Sequence, residues 1–171
     1  MPSSPMRSCR RTSISSMSNN ARGAAMTKFE EVSRALHACL SFMTRWGYAR
    51  LPDELAHSTL LGDQLVIRYV SSAADRELRI HFSPATPTHA DRLSVFVDSR
   101  NRHGFFVNGH LSKRDGQDVA SPLINADPER AITVFCRDAA SCLQREFETT
   151  LADLIQGRAW DAPPFDWAPY K

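Results

Sequence analysis

The chain has 171 residues, of which 42% are apolar and 23% are charged. This length suits one domain, and the composition is too apolar for a chain that is disordered throughout. No apolar stretch approaches the roughly 20 residues of a membrane-spanning helix, so the sequence excludes such a helix and we expect no membrane partner.

The basic residues are unevenly distributed. Residues 1–25 carry four arginines and no acid, whereas the rest of the chain holds 17 basic and 19 acidic side chains. The larger part therefore has a charge of −2, and it has no electrostatic reason to bind phosphate backbones. Nucleic-acid binding is not favoured.

Residues 1–26 precede the first amphipathic pattern. They are rich in serine and arginine and lack the apolar stretch of a secretory signal. We expect a disordered tail or an over-extended start, with translation beginning at Met26; an organellar transit peptide is the alternative. Residues 27–171 are expected to form a single domain.

The first pattern that predicts structure is helical. Apolar residues recur at three- and four-residue steps, which places them on one helix face: Phe29, Val32, Leu36, Leu40 and Met43. Thr27 and Glu30 match a capping box at the start of this helix. Gly47 is a natural terminator.

Alternation with a period of two replaces the helical pattern after Gly62. It predicts four strands, centred on Leu65–Tyr69, Leu78–Phe82, Leu93–Val97 and Phe105–Val107. In the second strand the apolar residues alternate with Glu77, Arg79 and His81. Such a strand has one face toward a core and the other toward water.

A second helix is expected near the C-terminus. Residues 108–126 are polar and rich in turn residues and predict a long loop. Asp127-Pro128-Glu129 marks a helix start, and an apolar stripe then runs from Ile132 to Ile155, with a bend expected near Ala140–Ser141. The predicted fold class is α+β: a four-stranded antiparallel meander with N- and C-terminal amphipathic helices packed on one face.

The last residues form an aromatic tail. Residues 157–171 contain Trp160, Phe165, Trp167 and Tyr170 among three prolines. We expect the tail to fold back and close the core. The alternative is an exposed anchor for a partner.

No motif of a known catalytic or cofactor site is present. Glycine-rich phosphate loops, G-x-S-x-G and H-E-x-x-H are all missing. We expect no cofactor, no metal and no catalytic residue. The sharpest grouping for a metal or acid–base site is His81, His89 and Asp91. A pair of Cys39 or Cys142 with a distant histidine stays open, so a small enzyme with an unrecognised site is an alternative.

Cysteine usage indicates the compartment. The four cysteines form no C-x-x-C pair, and those in apolar helical stretches are expected to be buried, unpaired thiols. A reducing cytoplasm is the expected location.

The candidate partner contacts are basic and aromatic residues near the fourth strand and in the tail: Arg100, Arg102, Phe106, Lys113, Arg114, Trp167 and Tyr170. Basic residues beside strand aromatics can also stack single-stranded bases, which is the nucleic-acid-binding alternative. The long loop from Asn108 to Asp127 is a further candidate contact surface.

The order of elements resembles small bacterial immunity proteins, the antidotes encoded beside polymorphic or contact-dependent toxins. The resemblance lies in the leading helix, the meander LVIRYV, RELRIHF and RLSVFV, and a last helix ending in LADLIQGRAW. It covers most of residues 27–160 and carries over no functional residue. It implies a non-enzymatic protein that binds a protein partner and occupies the active or docking surface of a toxin. A secretion-chaperone-like protein is another binding alternative.

Overall fold

The computed structural model describes residues 14–99, 102–115 and 122–160. Within these residues the helices are α1 Ile14–Cys39, α2 Ser41–Arg45, α3 Val107–Asp115, α4 Ile132–Glu148 and α5 Ala152–Ile155. The strands are β1 Ala49–Arg50, β2 Glu54–Ser58, β3 Gly62–Ser71, β4 Arg76–Ser83, β5 Asp91–Ser99, β6 Arg102–Phe106 and β7 Ile124–Asn125. The α+β fold class is confirmed. None of the helices described is both long and apolar enough to cross a bilayer.

The described strands form one antiparallel sheet of seven strands, so the predicted four-stranded sheet is wrong in size. β3, β4, β5 and β6 follow one another as the expected meander. β1 and β2 pair with β3, and β7 pairs with β5. The sequence does not indicate these extra strands, because β1 and β7 have two residues each and β2 lacks apolar alternation.

One face of the sheet and the helices share a single apolar core. In the three central strands every second residue is buried on this face: Leu65, Ile67, Tyr69, Leu78, Ile80, Phe82, Leu93, Val95 and Val97. α1 adds Phe29, Val32 and Leu36, while α4 adds Phe135, Leu143 and Phe147. Each large apolar side chain contributes about 1.5–3 kcal/mol on burial, so the alternation and the helical stripes together stabilise the two layers.

The first helix begins earlier than predicted. Thr27, the predicted N-cap, lies inside α1, where its hydroxyl donates to the Gly23 carbonyl at 3.0 Å. Residues 14–26 are helical, so residue 26 marks no change of backbone conformation; residues 1–13 lie outside the described residues. The predicted terminator is confirmed, since α2 ends at Arg45 and Gly47 has a φ of +80°, which glycine adopts without strain.

The C-terminal stripe belongs to two helices rather than one. α4 begins at Ile132, beyond a turn in which the Asp127 carboxylate accepts the Glu129 amide at 3.0 Å. The predicted bend near Ala140–Ser141 is wrong: these residues lie within α4, and the chain turns at Thr149 instead. Both helices bury their apolar residues in the same core. The apolar periodicity of the sequence therefore continues from α4 into α5 and does not reveal the break between them.

The segment predicted as a long loop contains α3 and β7, with residues 116–121 outside the described residues. Asn108, near the start of α3, lies where neither β6 nor β7 pairs with β5. Its side-chain Oδ1 accepts from the Val95 amide at 2.8 Å, and its Nδ2 donates to the Leu93 carbonyl at 2.7 Å. One side chain therefore satisfies main-chain groups that a neighbouring strand would otherwise satisfy.

Arg76 fixes the end of the described chain to the β3–β4 hairpin. Its guanidinium is nearly buried and donates to the carbonyls of Leu154 at 2.7 Å and Ala159 at 3.2 Å. It also lies 4.7 Å from the centre of a Trp160 ring. Trp160 is partly buried against the core, while residues 161–171 of the aromatic tail lie outside the described residues.

Gly157 brings the same segment against the hairpin. Its φ is +74°, and a Cβ atom at this position would lie 2.3 Å from the Ala74 carbonyl oxygen. The Tyr48 hydroxyl donates to the nearby Ile155 carbonyl at 2.5 Å. Only glycine fits this contact without displacing the backbone of the hairpin.

We expect Gly157→Ala to destabilise the protein more than Gly47→Ala does. Both positions have a positive φ, but no atom lies within 4 Å of a Cβ at Gly47. Gly47→Ala should lower the free energy of unfolding by about 1–2 kcal/mol through backbone strain, and Gly157→Ala by about 1–3 kcal/mol more, since Ala74 must move. Urea denaturation of both variants measures the difference; equal losses would contradict the close contact.

We also expect Asn108→Ala to lower the free energy of unfolding by about 1–3 kcal/mol, because two main-chain groups of β5 lose their partner. Ser112→Ala, at an exposed position of α3, is the matched variant and should change it by less than about 0.5 kcal/mol. Thermal and urea denaturation provide the measurement. A loss no larger than that of Ser112→Ala would show that water replaces the Asn108 side-chain amide as the partner of these main-chain groups.

Candidate functional site: the open face of the sheet

The predicted partner contacts fall mostly outside the described residues. Arg100, Trp167 and Tyr170 lie outside them altogether, and so do the side chains of Arg102, Lys113 and Arg114, whose backbones belong to β6 and α3. These predictions remain predictions. The side chain of Phe106 is described, and it lies on the face of the sheet that points away from the core.

All five described helices contribute buried side chains to the core on one face of the sheet. We call the other face, formed by the alternate residues of β2 to β6, the open face. Its central members are polar, charged or aromatic and mostly half-buried: Arg68, Glu77, Arg79, His81, Phe96, Asp98 and Phe106. The strand alternation that builds the core thus also builds this surface.

A row of directly opposite residues crosses the middle of the open face. Arg68 pairs with Arg79, Arg79 with Phe96, and Phe96 with Phe106. The rings of Phe96 and Phe106 are stacked with centroids 5.0 Å apart. The Arg79 guanidinium lies 5.7 Å from the centre of the Phe96 ring, which extends the aromatic contact with a cation.

Two arginines directly opposite each other would repel, and diagonal carboxylates offset this repulsion. Arg68 Nε donates to Glu77 at 2.6 Å and its Nη1 donates to Glu54 at 3.0 Å. Arg79 Nε donates to Asp98 at 2.7 Å. The other Asp98 oxygen accepts a main-chain amide of β6 at 2.8 Å. The charges of the open face are therefore held in fixed positions around the aromatic pair.

His81 lies next to this row, between Val66 and Ser94 on the neighbouring strands. Its ring centre is 5.5 Å from that of Phe96 in an edge-on arrangement. Its Nε2 is buried and has no hydrogen-bond partner. Burial, and then the charge of Arg79, lower the pKa of His81, so the neutral imidazole is favoured.

Two shallow grooves adjoin on this side of the sheet. The larger, of about 460 Å³, passes over Ala56, Val66, Arg68, Arg79 and His81. The smaller, of about 210 Å³, lies at the β3–β4 hairpin and is lined by residues of both faces, with Ser71 and Arg76 on the core side and Glu77 and Asp98 on the open face. Glu77, Asp98 and Ser99 line both grooves, so the two adjoin each other.

The grouping of His81, His89 and Asp91 does not form a site. Asp91 points to the core side of the sheet, where it accepts Lys28 Nζ at 2.8 Å and the Ala85 amide at 2.6 Å. His81 lies on the open face, so the sheet separates the two side chains. Among the described residues no three histidine, cysteine, aspartate or glutamate side chains are placed to hold a metal ion.

The described cysteines lie in the core layer. Cys136 and Cys142 are buried, Cys39 is half-buried, and none of the three forms a disulfide. Burial raises the pKa of Cys136 to about 12, with a smaller contribution from Cys39. A thiol with so high a pKa is a poor nucleophile.

Phe96 is the residue that sequence reasoning misses. It occupies a polar position in the alternation of β5, between Leu93, Val95 and Val97 on the core face and Ser94 and Asp98 on the open face. A large aromatic residue at a position where the alternation predicts a polar one is the signal in the sequence that could have identified Phe96. Its stacking with Phe106 depends on strand register, which the single sequence does not show.

No known protein family matches the chain, and neither a curated protein nor a solved structure is detectably similar to it.

We expect His81 to make stability depend on pH. Its pKa is lower in the folded protein than the value of about 6.5 in an unfolded chain. The unfolded chain therefore binds the proton more tightly, and the free energy of unfolding falls as the pH drops below about 6.5. Above about pH 7 this contribution is constant.

Urea denaturation of the wild type and His81→Gln, between about pH 7 and pH 5, tests this expectation. The wild type should lose more stability over the interval than the variant, because glutamine does not titrate. The same pH dependence in both proteins would show that His81 is protonated as easily in the folded state.

Proposed function

We propose that the chain is a non-enzymatic protein-binding module whose partner docks on the open face. The observation that carries this proposal is the stacked pair Phe96 and Phe106, with centroids 5.0 Å apart, on the face opposite the core. Aromatic side chains beside arginines dominate the binding energy of many protein interfaces. The open face has this composition.

The charges around the aromatic pair support a docking role. Arg68, Arg79 and Asp98 are already held by hydrogen bonds of 2.6 to 3.0 Å. Side chains that are ordered before association lose less conformational entropy when a partner binds. The open face therefore suits the recognition of a partner with a complementary pattern of charges.

The balance of charge favours a protein over a nucleic acid. The acidic side chains on the described part of this face are Glu54, Glu77 and Asp98, and the basic ones are Arg68, Arg79 and Arg92. A phosphate backbone would meet as many carboxylates as guanidinium groups, and the release of counterions would gain little. A protein surface presents both signs of charge and can match them.

The role that we propose for this binding is the neutralisation of a cognate toxin. It is supported by the resemblance of the element order to immunity proteins. An enzyme is less well supported, since Asp91, the carboxylate grouped with His81, is engaged by Lys28 on the opposite side of the sheet.

Phe96→Ala should weaken binding of a partner captured from the native cell about 30-fold or more, as expected for a hot spot worth about 2 kcal/mol. Arg137→Ala, at a side chain of α4 that is 63% exposed, should change the affinity less than about twofold. Calorimetry with the purified pair measures both, after circular dichroism has shown that each variant is folded.

If Arg137→Ala weakens binding and Phe96→Ala does not, the partner uses the helical layer and the proposed surface is wrong. The toxin role has its own readout. The captured partner should stop growth when produced alone, and co-production of the chain should restore it. A partner that is harmless alone would contradict neutralisation.

A further inference from the structure

β2 is an edge strand of the sheet. Among the described strands it pairs with β3 alone, and β3 pairs with β4 on its other side. The outer side of an edge strand presents a row of main-chain amide and carbonyl groups to which a further strand can pair. Many proteins protect such an edge with lysine, proline or a bulge, and none of these occurs within Glu54–Ser58. This edge is therefore open to another strand.

Exposed apolar side chains accompany the edge. Leu55 is 57% exposed, although Leu65, directly opposite it on β3, is buried in the core. Leu60, in the turn between β2 and β3, is 89% exposed. Pro52, just before β2, is exposed as well. The helical layer therefore does not extend over β2, and a strand added at this edge would remove apolar surface from water.

The titratable side chains of β2 already have partners on β3. Glu54 accepts a hydrogen bond from Arg68 at 3.0 Å, and His57 Nδ1 lies 2.9 Å from the Asp63 carboxylate. A strand that pairs with β2 therefore does not need to supply a counter-ion. This favours a strand that, like β2 itself, carries no unpaired charge.

The sequence of β2 is complementary to a second copy of itself. In an antiparallel pair with a twofold axis at Ala56, all five residues of β2 pair with the five of the other copy. Glu54 then lies opposite Ser58 of the second copy, and Leu55 lies opposite His57, so no like charges face each other. Only the small Ala56 side chains meet at the axis. Any other axis leaves part of β2 unpaired.

The same axis brings together the exposed apolar residues. Counted along the paired strands, Leu60 of one copy lies beside Pro52 of the other, and this contact occurs twice. The two Leu55 residues are diagonal neighbours on the same side of the sheet, about 7–8 Å apart, which is within reach of long side chains. The residues that the single chain leaves exposed are thus those that a second copy would cover.

We propose that two copies of the chain associate through β2, so that their sheets join into one antiparallel sheet across a twofold axis at Ala56. The contact uses an edge of the sheet and leaves the open face of each copy uncovered. It does not depend on the proposed function. In the dimer the two open faces lie next to each other on one side of the joined sheet.

Charge substitutions at the axis test the proposal in the full chain. In Ala56→Lys and in Ala56→Glu like charges face each other across the axis, so each variant alone should be a monomer. An equimolar mixture should restore the dimer, because a lysine then faces a glutamate. Ser141→Lys and Ser141→Glu, at an exposed position of α4, are the matched controls and should remain dimers. Sedimentation equilibrium at up to about 0.1 mM chain measures the masses, after circular dichroism has shown that each variant is folded.

Three results would overturn the proposal. They are a wild type that stays monomeric over this range, a dimer that persists in both position-56 variants, and a mixture of these variants that does not associate. The first result excludes a second copy as the occupant of the edge. The second places the contact at another surface, and the third contradicts an axis at Ala56.

Disulfide formation gives an independent measurement of the register. In a chain with Cys9→Ser and Cys39→Ala, Ala56→Cys should form a covalent dimer under mild oxidation. Ser58→Cys should not, because the two positions 58 are separated by about 14 Å along the paired strands, which is too far for a disulfide. Equal yields from both variants contradict the register.

The outcome for the dimer is independent of the outcome for the proposed function. No other protein is present in these experiments, so their failure leaves the open face as the proposed docking surface. When position 56 is used for crosslinking in the cell, a product of twice the chain mass identifies a second copy, and a product of any other mass identifies a partner.

Discussion

Strict alternation along β3, β4 and β5 is the constraint on which both surfaces of the sheet depend. Leu78, Ile80 and Phe82 are fully buried against the helices, and the residues between them point the other way. A slip of one residue in the pairing would exchange the two sets of side chains. The core therefore fixes the register that brings Arg79 opposite Phe96. The row of Arg79, Phe96 and Phe106 on the open face thus depends on the packing of the core face.

Two sets of contacts support the sheet at its ends. In one a side chain takes the place of a missing strand, and in the other a neighbouring segment is attached to a hairpin. Asn108 satisfies β5 in the interval between β6 and β7. At the opposite end, Arg76 and Gly157 fix the segment after α5 to the β3–β4 hairpin. A contact that stabilises the fold therefore also determines the position of Trp160.

The sequence predicts the features that depend on periodicity and misses those that depend on register or tertiary contact. The core, the meander and the polar positions of Arg79 and His81 follow from alternation alone. Breaks between helices do not, because one apolar stripe spans α4 and α5. α3 is hidden by turn-like residues such as Asn108 and Gly109. The contact of Phe96 with Phe106 requires knowledge of which strands pair and in which register.

The central claim is that the open face is the surface used for binding in the cell. Photo-crosslinking tests it most directly, with benzoylphenylalanine in place of Ala56 at the rim of the groove or in place of Ser141 on α4. We predict that position 56 crosslinks to one protein species and that position 141 does not. A crosslink from position 141 and none from position 56 would place the partner on the helical layer and contradict the claim.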